Sequence, residues 1–353
     1  MMRKTISLRA CAAGACVLSL AACGGRSSAV PALPAQSGAA STGGAAPMTA
    51  KNLYVANLSA FSSSGSITVY EPGTSTPLRT ISSGISYPTG LAFDSSENLY
   101  VANFAGNAVT VYAPGATKPS HTISAGMDGP ISVALDSTGK VFVGNKGATV
   151  TVYAPKSYKL IATVTNCIRF PGALALDKSG NLYVANGEGV PGKWSVCMFS
   201  GDGYRAITDG INDPYAMAFD SAGNLYVANF GSNAVTVYHP GASKPFTSLG
   251  SKDAVSEPDA LAFDGSGNLY VANTGSNAIT VYAKTSLKLI RSIKDEVDVP
   301  VGLAFGSSGY LNVANFGKPS STGSVTEYAP GKTIVNRTIT KGVDGPVALG
   351  FGP

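Results

Sequence analysis

Short stretches of alternating apolar and polar residues, bounded by turn residues, repeat along the chain after residue 51, and no amphipathic helical period is found. The clearest stretch reads Asn-Leu-Tyr-Val-Ala-Asn. Its copies, of which the third and last are degenerate, begin at Asn52, Asn98, Lys140, Asn181, Asn224, Asn268 and Tyr310. They are spaced by 41 to 46 residues, the length of one propeller blade. Because one blade cannot bury both of its faces alone, the repeat predicts a stack of blades.

Each repeat predicts four strands, named A to D from the centre outward. In one unit they cover residues 215–220, 224–229, 233–238 and 245–249. All four are short and rich in β-branched or aromatic residues. The A-to-B link, Asp-Ser-Ala-Gly-Asn, supplies an Asp to cap the turn and a Gly for positive φ.

The two ends of the chain each carry an incomplete repeat. The core apolar segment of strand A begins at Leu91, Val133, Leu174, Met217, Leu261, Leu303 and Leu349. The last copy has no strand B after it, and the first strand B, at Asn52, has no strand A before it. Pairing these ends removes the open sheet edges of a linear array. We therefore predict an all-β, seven-bladed propeller over residues 51–353, with velcro closure of the first blade by the C-terminal strand.

The consensus Gly-Leu-Ala-Phe-Asp-x-x-Gly-Asn-Leu-Tyr-Val-Ala-Asn, followed by Val-Thr-Val-Tyr, resembles the NHL-repeat and streptogramin-lyase-like propellers of six or seven blades. The resemblance covers about residues 51 to 353. It implies a fold rather than an activity, because this architecture hosts lyases, lactonases, oxidoreductase scaffolds and binding modules.

The N-terminus reads as an export signal, with Arg3 and Lys4 before an apolar stretch over residues 6–22. The stretch ends in Leu-Ala-Ala-Cys, which resembles the lipobox of bacterial lipoproteins. That resemblance implies cleavage after residue 22 and acylation of Cys23, giving a lipid-anchored protein of the cell envelope. Gly24 at the next position favours the outer membrane if the host is Gram-negative. Residues 23–50, mostly Gly, Ala, Ser, Thr and Pro, predict a disordered tether.

Charge excludes nucleic acid as a partner. The chain has 25 Lys and Arg residues against 20 Asp and Glu. Loss of Arg3, Lys4 and Arg9 with the signal leaves the mature chain nearly neutral. Phosphate binding needs a clustered positive surface, and no such cluster is found in the sequence.

Two cysteines remain once the signal is removed and Cys23 is acylated. These are Cys167 and Cys197. In an oxidising compartment they are a possible disulfide. Buried free cysteine is the alternative reading of the same pair.

Ligand contacts are expected on the face that carries the D-to-A and B-to-C connections, because these loops vary while the A-to-B turns stay uniform. The Asn ending each strand B and the Asp ending strand A recur in blade after blade, so we interpret them as turn-stabilising. Positions flanking the proline of strand A differ between blades. Among them, Asp213, Glu257 and Asp259 could hold Ca²⁺, which prefers oxygen ligands. A solvated acidic rim is the alternative.

Four aromatic residues are candidate ligand contacts on the same face: Tyr87, Phe170, Tyr215 and Trp194. Such rings could stack on a sugar or a peptide side chain, although packing between blades is the commoner use of such rings.

Catalysis has little support in the sequence. The resemblance implies, for streptogramin lyases, a metal-assisted funnel with a histidine base. The two histidines here, His121 and His239, fall in an outer strand and in a turn on the opposite face. We therefore expect a non-catalytic, membrane-anchored propeller that binds a protein, peptide or glycan through its variable loops. The alternative is a metal-dependent lactonase or lyase using the acidic funnel.

Overall fold

A computed structural model describes residues 51–58, 64–187, 194–201, 203–318 and 321–353. The predicted export signal, Cys23, and the predicted tether lie outside these ranges. Among the described residues no helix has the length and apolarity needed to cross a membrane.

The described residues are almost entirely strand, with three single-turn 3-10 helices at Phe230–Ser232, Ser251–Asp253 and Thr274–Ser276. The strands, in chain order, are β1 (Asn52–Leu58), β2 (Gly65–Tyr70), β3 (Arg79–Ile81), β4 (Pro88–Phe93), β5 (Leu99–Asn103), β6 (Ala108–Tyr112), β7 (His121–Ile123), β8 (Pro130–Leu135), β9 (Val141–Asn145), β10 (Thr149–Tyr153), β11 (Leu160–Val164), β12 (Pro171–Leu176), β13 (Leu182–Asn186), β14 (Ser195–Ser200), β15 (Gly203–Ile207), β16 (Pro214–Phe219), β17 (Leu225–Asn229), β18 (Ala234–Tyr238), β19 (Thr247–Leu249), β20 (Pro258–Phe263), β21 (Leu269–Asn273), β22 (Ala278–Tyr282), β23 (Leu289–Ile293), β24 (Pro300–Phe305), β25 (Leu311–Asn315), β26 (Ser324–Tyr328), β27 (Arg337–Ile339) and β28 (Pro346–Gly352).

These strands form seven four-stranded antiparallel sheets, so the predicted seven-bladed propeller is confirmed. Blade 1 has the order β28-β1-β2-β3, and blades 2 to 7 each take the next four strands in sequence, beginning with β4, β8, β12, β16, β20 and β24. The first strand of each blade, strand A, contacts strand A of the neighbouring blades and so forms the inner ring.

The C-terminal strand closes the ring as predicted. β28 pairs antiparallel with β1, with Asn52 opposite Gly352 and Ala56 opposite Ala348. A further backbone bond of 2.9 Å joins the Leu58 amide to the Gly345 carbonyl. Closure removes the sheet edges that a linear array of blades would expose.

The A-to-B turns explain why strand bounds in blade 5 differ by a residue from the prediction. Asp220 and Asn224 lie outside β16 and β17 because their side chains build the turn. The Asp220 carboxylate accepts the Ala222 and Asn224 amides, each at 2.9 Å, and the Asn224 side chain at 2.7 Å. Gly223 has φ +86, which favours glycine. The same arrangement recurs at Asp94, Asp177 and Asp264, as expected for turn caps.

Neighbouring blades are joined by aromatic pairs. The Phe ending a strand A meets the Tyr of the preceding blade's strand B edge to face, with centroids about 5 Å apart, a geometry that adds about 0.5–1.5 kcal/mol beyond area burial. The pairs are Tyr54 with Phe93, Tyr183 with Phe219, Tyr226 with Phe263 and Tyr270 with Phe305.

Close approach of the inner strands limits the third residue of strand A to small side chains. This position holds Gly90, Ser132, Ala173, Ala216, Ala260, Gly302 and Ala348. A Cβ added at Gly90 would lie 3.3 Å from the carbonyl oxygen of Ile131 in the next blade. The inner ring therefore has no room for a larger side chain at this level.

We predict that Ala260→Leu lowers the free energy of unfolding by about 1–3 kcal/mol, because overpacking a tight interior forces the backbone to shift. Ala260 is fully buried. Urea denaturation measures the change, and Ala222→Leu in the exposed turn of blade 5 serves as the matched control. Equal stability of the two variants would contradict the close packing of the inner ring.

Candidate functional site

The two faces of the disc differ in construction. We call the face where strand A begins and strand B ends the loop face; it carries the D-to-A and B-to-C connections. In each of blades 2 to 7 the proline that opens strand A lies opposite the Asn that ends strand B, as for Pro88 and Asn103. The opposite face, with the A-to-B and C-to-D connections, is called the turn face.

An unusual backbone conformation surrounds the centre of the loop face. In six blades the residue just before the strand-A proline has φ between 47° and 60°; these residues are Tyr87, Gly129, Asp213, Glu257, Val299 and Gly345. Their carbonyls accept the amide that follows the terminal Asn of strand B, for example at 3.0 Å for Phe104 to Tyr87 and for Phe230 to Asp213. A side chain in this left-handed region costs about 1–2 kcal/mol relative to the right-handed one.

The ring of Asn residues that end strand B is structural. These side chains are buried: Asn57, Asn103, Asn145, Asn186, Asn229, Asn273 and Asn315. In all seven blades Oδ1 accepts a backbone amide of the incoming D-to-A loop, as at 2.9 Å for Asn212 to Asn229. In six blades Nδ2 donates to a Thr hydroxyl of strand C, as at 2.9 Å for Asn229 to Thr236.

This geometry refines the interpretation made from the sequence. The structural role of the Asn ring is supported, but the main partner is the loop that enters the blade rather than the turn that follows the Asn. The sequence could not show this, because the two bonded residues are 17 positions apart in blades 2 to 7.

A second set of hydroxyls holds the same loops. The Tyr that ends strand C donates to a carbonyl of the D-to-A loop in six blades, with oxygen-to-oxygen distances of 2.5–2.7 Å. These residues are Tyr70, Tyr112, Tyr153, Tyr238, Tyr282 and Tyr328. Each blade with this bond also has a Thr two residues earlier, bonded to the ring Asn.

Blade 4 lacks both hydroxyls and has a disulfide instead. Cys197 stands where the other blades have Thr, and Phe199 where they have Tyr. The sulfur of Cys197 is bonded to that of Cys167, in the D-to-A loop of the same blade, with Cα atoms 6.1 Å apart. The covalent bond therefore holds the loop that hydroxyl bonds hold elsewhere.

We predict that replacing both cysteines by Ser lowers the free energy of unfolding by about 3 kcal/mol, the chain-entropy value for a loop of this size. The two bonded cysteines are 30 positions apart in the sequence. A rescue variant, Cys167→Ser with Cys197→Thr and Phe199→Tyr, should recover part of the loss by restoring the hydroxyl ties. Thermal melts without reductant compare the wild type, the double-Ser variant and the rescue variant. Equal melting temperatures for the double-Ser and rescue variants would contradict this equivalence.

The three candidate carboxylates lie on the loop face. Asp213 and Glu257 precede the prolines of blades 5 and 6 and are half-buried, whereas Asp259 follows the proline of blade 6 and is 2% exposed. Among the described residues, no group of three or more His, Cys, Asp or Glu side chains is arranged to hold a metal ion. The geometry thus gives no support to the Ca²⁺ site considered from the sequence.

Asp259 is a buried acid in an apolar position. Burial, and secondly the charge of Glu257, raises the pKa of its carboxyl well above the usual value. Its Oδ1 is buried and has no hydrogen-bond partner. The equivalent residues of blades 3, 7 and 1 are Ile131, Val301 and Val347, which fill the same seam with apolar side chains.

We predict that the free energy of unfolding of Asp259→Asn, measured relative to that of the wild type, increases as the pH rises. Because the folded pKa of Asp259 lies above the unfolded value of about 3.9, the folded state holds the extra proton. Wild-type stability should then fall as pH rises from about 4 through the folded pKa. Urea denaturation across this range measures the difference, with Glu71→Gln at an exposed position as control. A pH-independent difference would contradict a raised pKa for this buried carboxyl.

The four aromatic candidates differ in accessibility. Tyr215 is 7% exposed and stacks on Phe230 of its own blade, with centroids 4.5 Å apart. Tyr87 is half-buried and tilted against Phe104 at 5.7 Å. Phe170 and Trp194 belong to blade 4 and are also half-buried, and Trp194 packs on the core between blades 4 and 5. Tyr87 and Phe170 therefore offer more free surface than Tyr215.

Neither histidine reaches the loop face. His121 is an exposed residue of the outer strand β7, with its ring centroid 4.9 Å from that of Tyr158. His239 lies in the C-to-D connection of blade 5, stacked on Phe246 with centroids 3.8 Å apart. A general base must come within hydrogen-bond reach of its proton, so these histidines cannot serve a reaction at the centre of the loop face.

A set of Asn residues that join neighbouring blades was not predicted from the sequence. Asn107, Asn233 and Asn277 lie in B-to-C loops with positive φ. Their Oδ1 atoms accept the pre-proline amide of the next blade: Gly129 at 2.7 Å, Glu257 at 2.6 Å and Val299 at 2.9 Å. The signal was present as an Asn four residues after the Asn that ends strand B.

Comparison with solved structures supports a streptogramin-lyase-like propeller fold. A selenomethionine form of virginiamycin B lyase from Staphylococcus aureus is 14% identical, with a TM-score of 0.58 over 71% of this chain and 83% of that one. A catalytically inactive variant of virginiamycin B lyase from the same organism, with quinupristin, is 12% identical, with a TM-score of 0.58 over 74% and 84%. No protein-family model and no curated protein matches the chain. At this identity the likeness concerns the fold alone.

Proposed function

We propose that this protein is a lipid-anchored propeller of the cell envelope that binds a protein, peptide or glycan through its loop face, without catalysis. Acylation of Cys23 and a tether over residues 23–50 would hold it at the membrane, the outer membrane in a Gram-negative host. One observation carries the binding part of the proposal. In six of the seven blades the pre-proline residue at the rim has the same backbone conformation, while its side chain varies from blade to blade.

Side chains other than glycine at this position carry a conformational cost that the fold itself does not require. Blades 1 and 3 use Gly345 and Gly129 at this position, where glycine is free of strain. Blades 2, 5 and 6 instead hold Tyr87, Asp213 and Glu257 at positive φ. Strained residues on a rigid scaffold are typical of functional positions. An aromatic ring and two carboxylates suit recognition of polar groups on a peptide or sugar.

Catalysis is less well supported. The Asn ring is fully used by hydrogen bonds within the fold, both histidines lie away from the loop face, and the described residues offer no metal-ligating group. The structural likeness to virginiamycin B lyase keeps a lyase as the second candidate. Incubation with quinupristin, followed by mass spectrometry, tests it; a cleaved product would favour catalysis.

We predict that Tyr87→Gly with Glu257→Gly abolishes ligand capture while keeping the fold. Glycine adopts positive φ without strain, which recovers roughly 1 kcal/mol at each site. This gain offsets part of the packing that is lost with each side chain. Chemical crosslinking in intact envelopes, followed by affinity capture and mass spectrometry, compares this variant with wild type. Lys118→Gly on the turn face is the control.

A crosslinked partner retained by the double-Gly variant but lost from the Lys118 variant would place recognition on the other face. No difference between wild type and either variant would also count against the loop face.

A further inference from the structure

The two faces of the propeller carry opposite charge. On the turn face the exposed basic residues are Lys51, Lys118, Lys140, Lys156, Lys159, Lys178, Lys244, Lys284, Lys288 and Lys332. Seven of these ten lysines lie in C-to-D connections. Five of the seven blades have at least one lysine in this connection. Four arginines, Arg79, Arg205, Arg291 and Arg337, lie at or near the starts of outer strands on the same side.

The acids of the turn face balance only part of this charge. Glu71 and Glu97 are accompanied by the turn caps Asp94, Asp136, Asp177, Asp220 and Asp264, and one further acid, Glu327, pairs with Arg337. The caps are engaged by backbone amides of their own turns. Basic residues therefore outnumber acidic ones among the described residues of this face.

The loop face has the reverse balance. Its exposed and half-buried acids in the described ranges are Asp128, Asp209, Asp213, Asp253, Glu257, Asp295, Glu296, Asp298 and Asp344, against Lys146, Arg169, Lys252, Lys294, Lys318 and Lys341. Most of these acids belong to blades 5 to 7. An anionic surface would therefore attract the turn face and repel the loop face.

The chain also joins the propeller on the basic face. Strand β1 begins at Asn52, opposite Gly352, the last residue of the closing strand A, and strands A end at the turn face. Lys51 forms an ion pair of 3.3 Å with Glu97 in the A-to-B turn of blade 2. The first described residue, Lys51, is therefore on the basic face.

Apolar side chains stand among these lysines. Leu78 is 45% exposed, Phe246 48% and Leu289 45%, and each lies where an outer strand begins, next to a C-to-D connection. Lysines mixed with exposed apolar side chains are the composition of surfaces that lie against lipid headgroups.

We infer that the turn face docks on the anionic phospholipid headgroups of the membrane that holds the N-terminus, so that the loop face points away from the bilayer. The inference rests on the proposed envelope anchoring and adds an orientation to it. A flexible tether alone leaves the disc free to rotate. Binding of the lysines to the headgroups restricts this rotation. Each lysine contributes about fivefold to the affinity for an anionic surface.

Tryptophan quenching tests the orientation. The full chain is reconstituted into phosphatidylcholine vesicles, with or without phosphatidylglycerol, that contain headgroup spin-labelled lipid. In the wild type the only tryptophan is Trp194, on the loop face just before β14. In the second protein Trp194→Phe is combined with Ser243→Trp, an exposed C-to-D position.

With phosphatidylglycerol present, we expect quenching several-fold greater at position 243 than at position 194. The difference should shrink in phosphatidylcholine alone or at about 1 M salt, where the Debye length falls to about 3 Å. Equal quenching of both probes, or stronger quenching of Trp194, would overturn the inference.

Charge-reversal variants separate the surface from net charge. Lys156→Glu, Lys159→Glu, Lys284→Glu and Lys288→Glu together, made in the position-243 protein, should abolish its quenching. The matched control reverses Lys146, Arg169, Lys252 and Lys294 on the loop face, changes net charge equally and should keep the quenching. Loss in both sets would mean that only net charge matters and would refute a docking face.

Flotation of the same vesicles distinguishes the two proposals. A chain that floats but shows no preferred face would refute the orientation and leave the anchoring proposal standing. A chain that does not float would contradict both.

Discussion

Antiparallel pairing between the two ends of the chain is the constraint on which the whole architecture depends. β28 supplies the inner strand for the sheet that β1 begins, with Val55 opposite Leu349 at its middle. Without this pairing, blade 1 would lack its inner strand and the ring would have two open edges. The loop face, its rim of pre-proline residues and the charge difference between the faces all follow from a closed ring of seven blades.

Side chains that recur in every blade have structural roles, whereas positions at which the blades differ are available for function. The Asn, Thr and Tyr residues that hold each D-to-A loop recur because every blade meets the same geometric problem. Blade 4 solves that problem differently, with the Cys167 to Cys197 disulfide in place of two hydroxyl ties. The pre-proline positions behave in the opposite way, since their backbone is fixed while their side chains change. Asp259 is a further exception, a buried acid where blades 1, 3 and 7 have Ile or Val.

Much of the fold could be predicted from the sequence, because the period near 43 residues, the turn residues and the unmatched ends are local signals. Strand bounds were accurate to one or two residues. Asn233 begins no strand because it adopts φ +52 to reach the next blade, and Pro245 precedes β19 because it has no amide to donate. Small residues at the third position of strand A were visible in the sequence, yet only the contact between inner strands explains them.

The candidate site was less predictable, since its contacts join residues from different blades. The sequence placed Asp213, Glu257 and Asp259 on one face but could not show how their side chains are arranged. Among the described residues, no group of three or more His, Cys, Asp or Glu side chains is arranged to hold a metal ion. Nor could it show that the Oδ1 atom of Asn229 accepts the amide of Asn212 rather than a bond from its own turn. The charge difference between the two faces can be seen only when the topology assigns each loop to a face. That difference is the basis for the proposed orientation of the propeller on the membrane.

Hydrogen exchange of the paired ends tests ring closure most directly. Mass spectrometry can compare peptides covering residues 52–58 and 346–352 with peptides from the inner strands of blades 3 to 5. A closed ring predicts that both terminal segments exchange together and as slowly as those inner strands, through the same cooperative opening. Exchange of residues 346–352 at the rate of a free chain terminus would contradict the closure and the assignment of faces that depends on it.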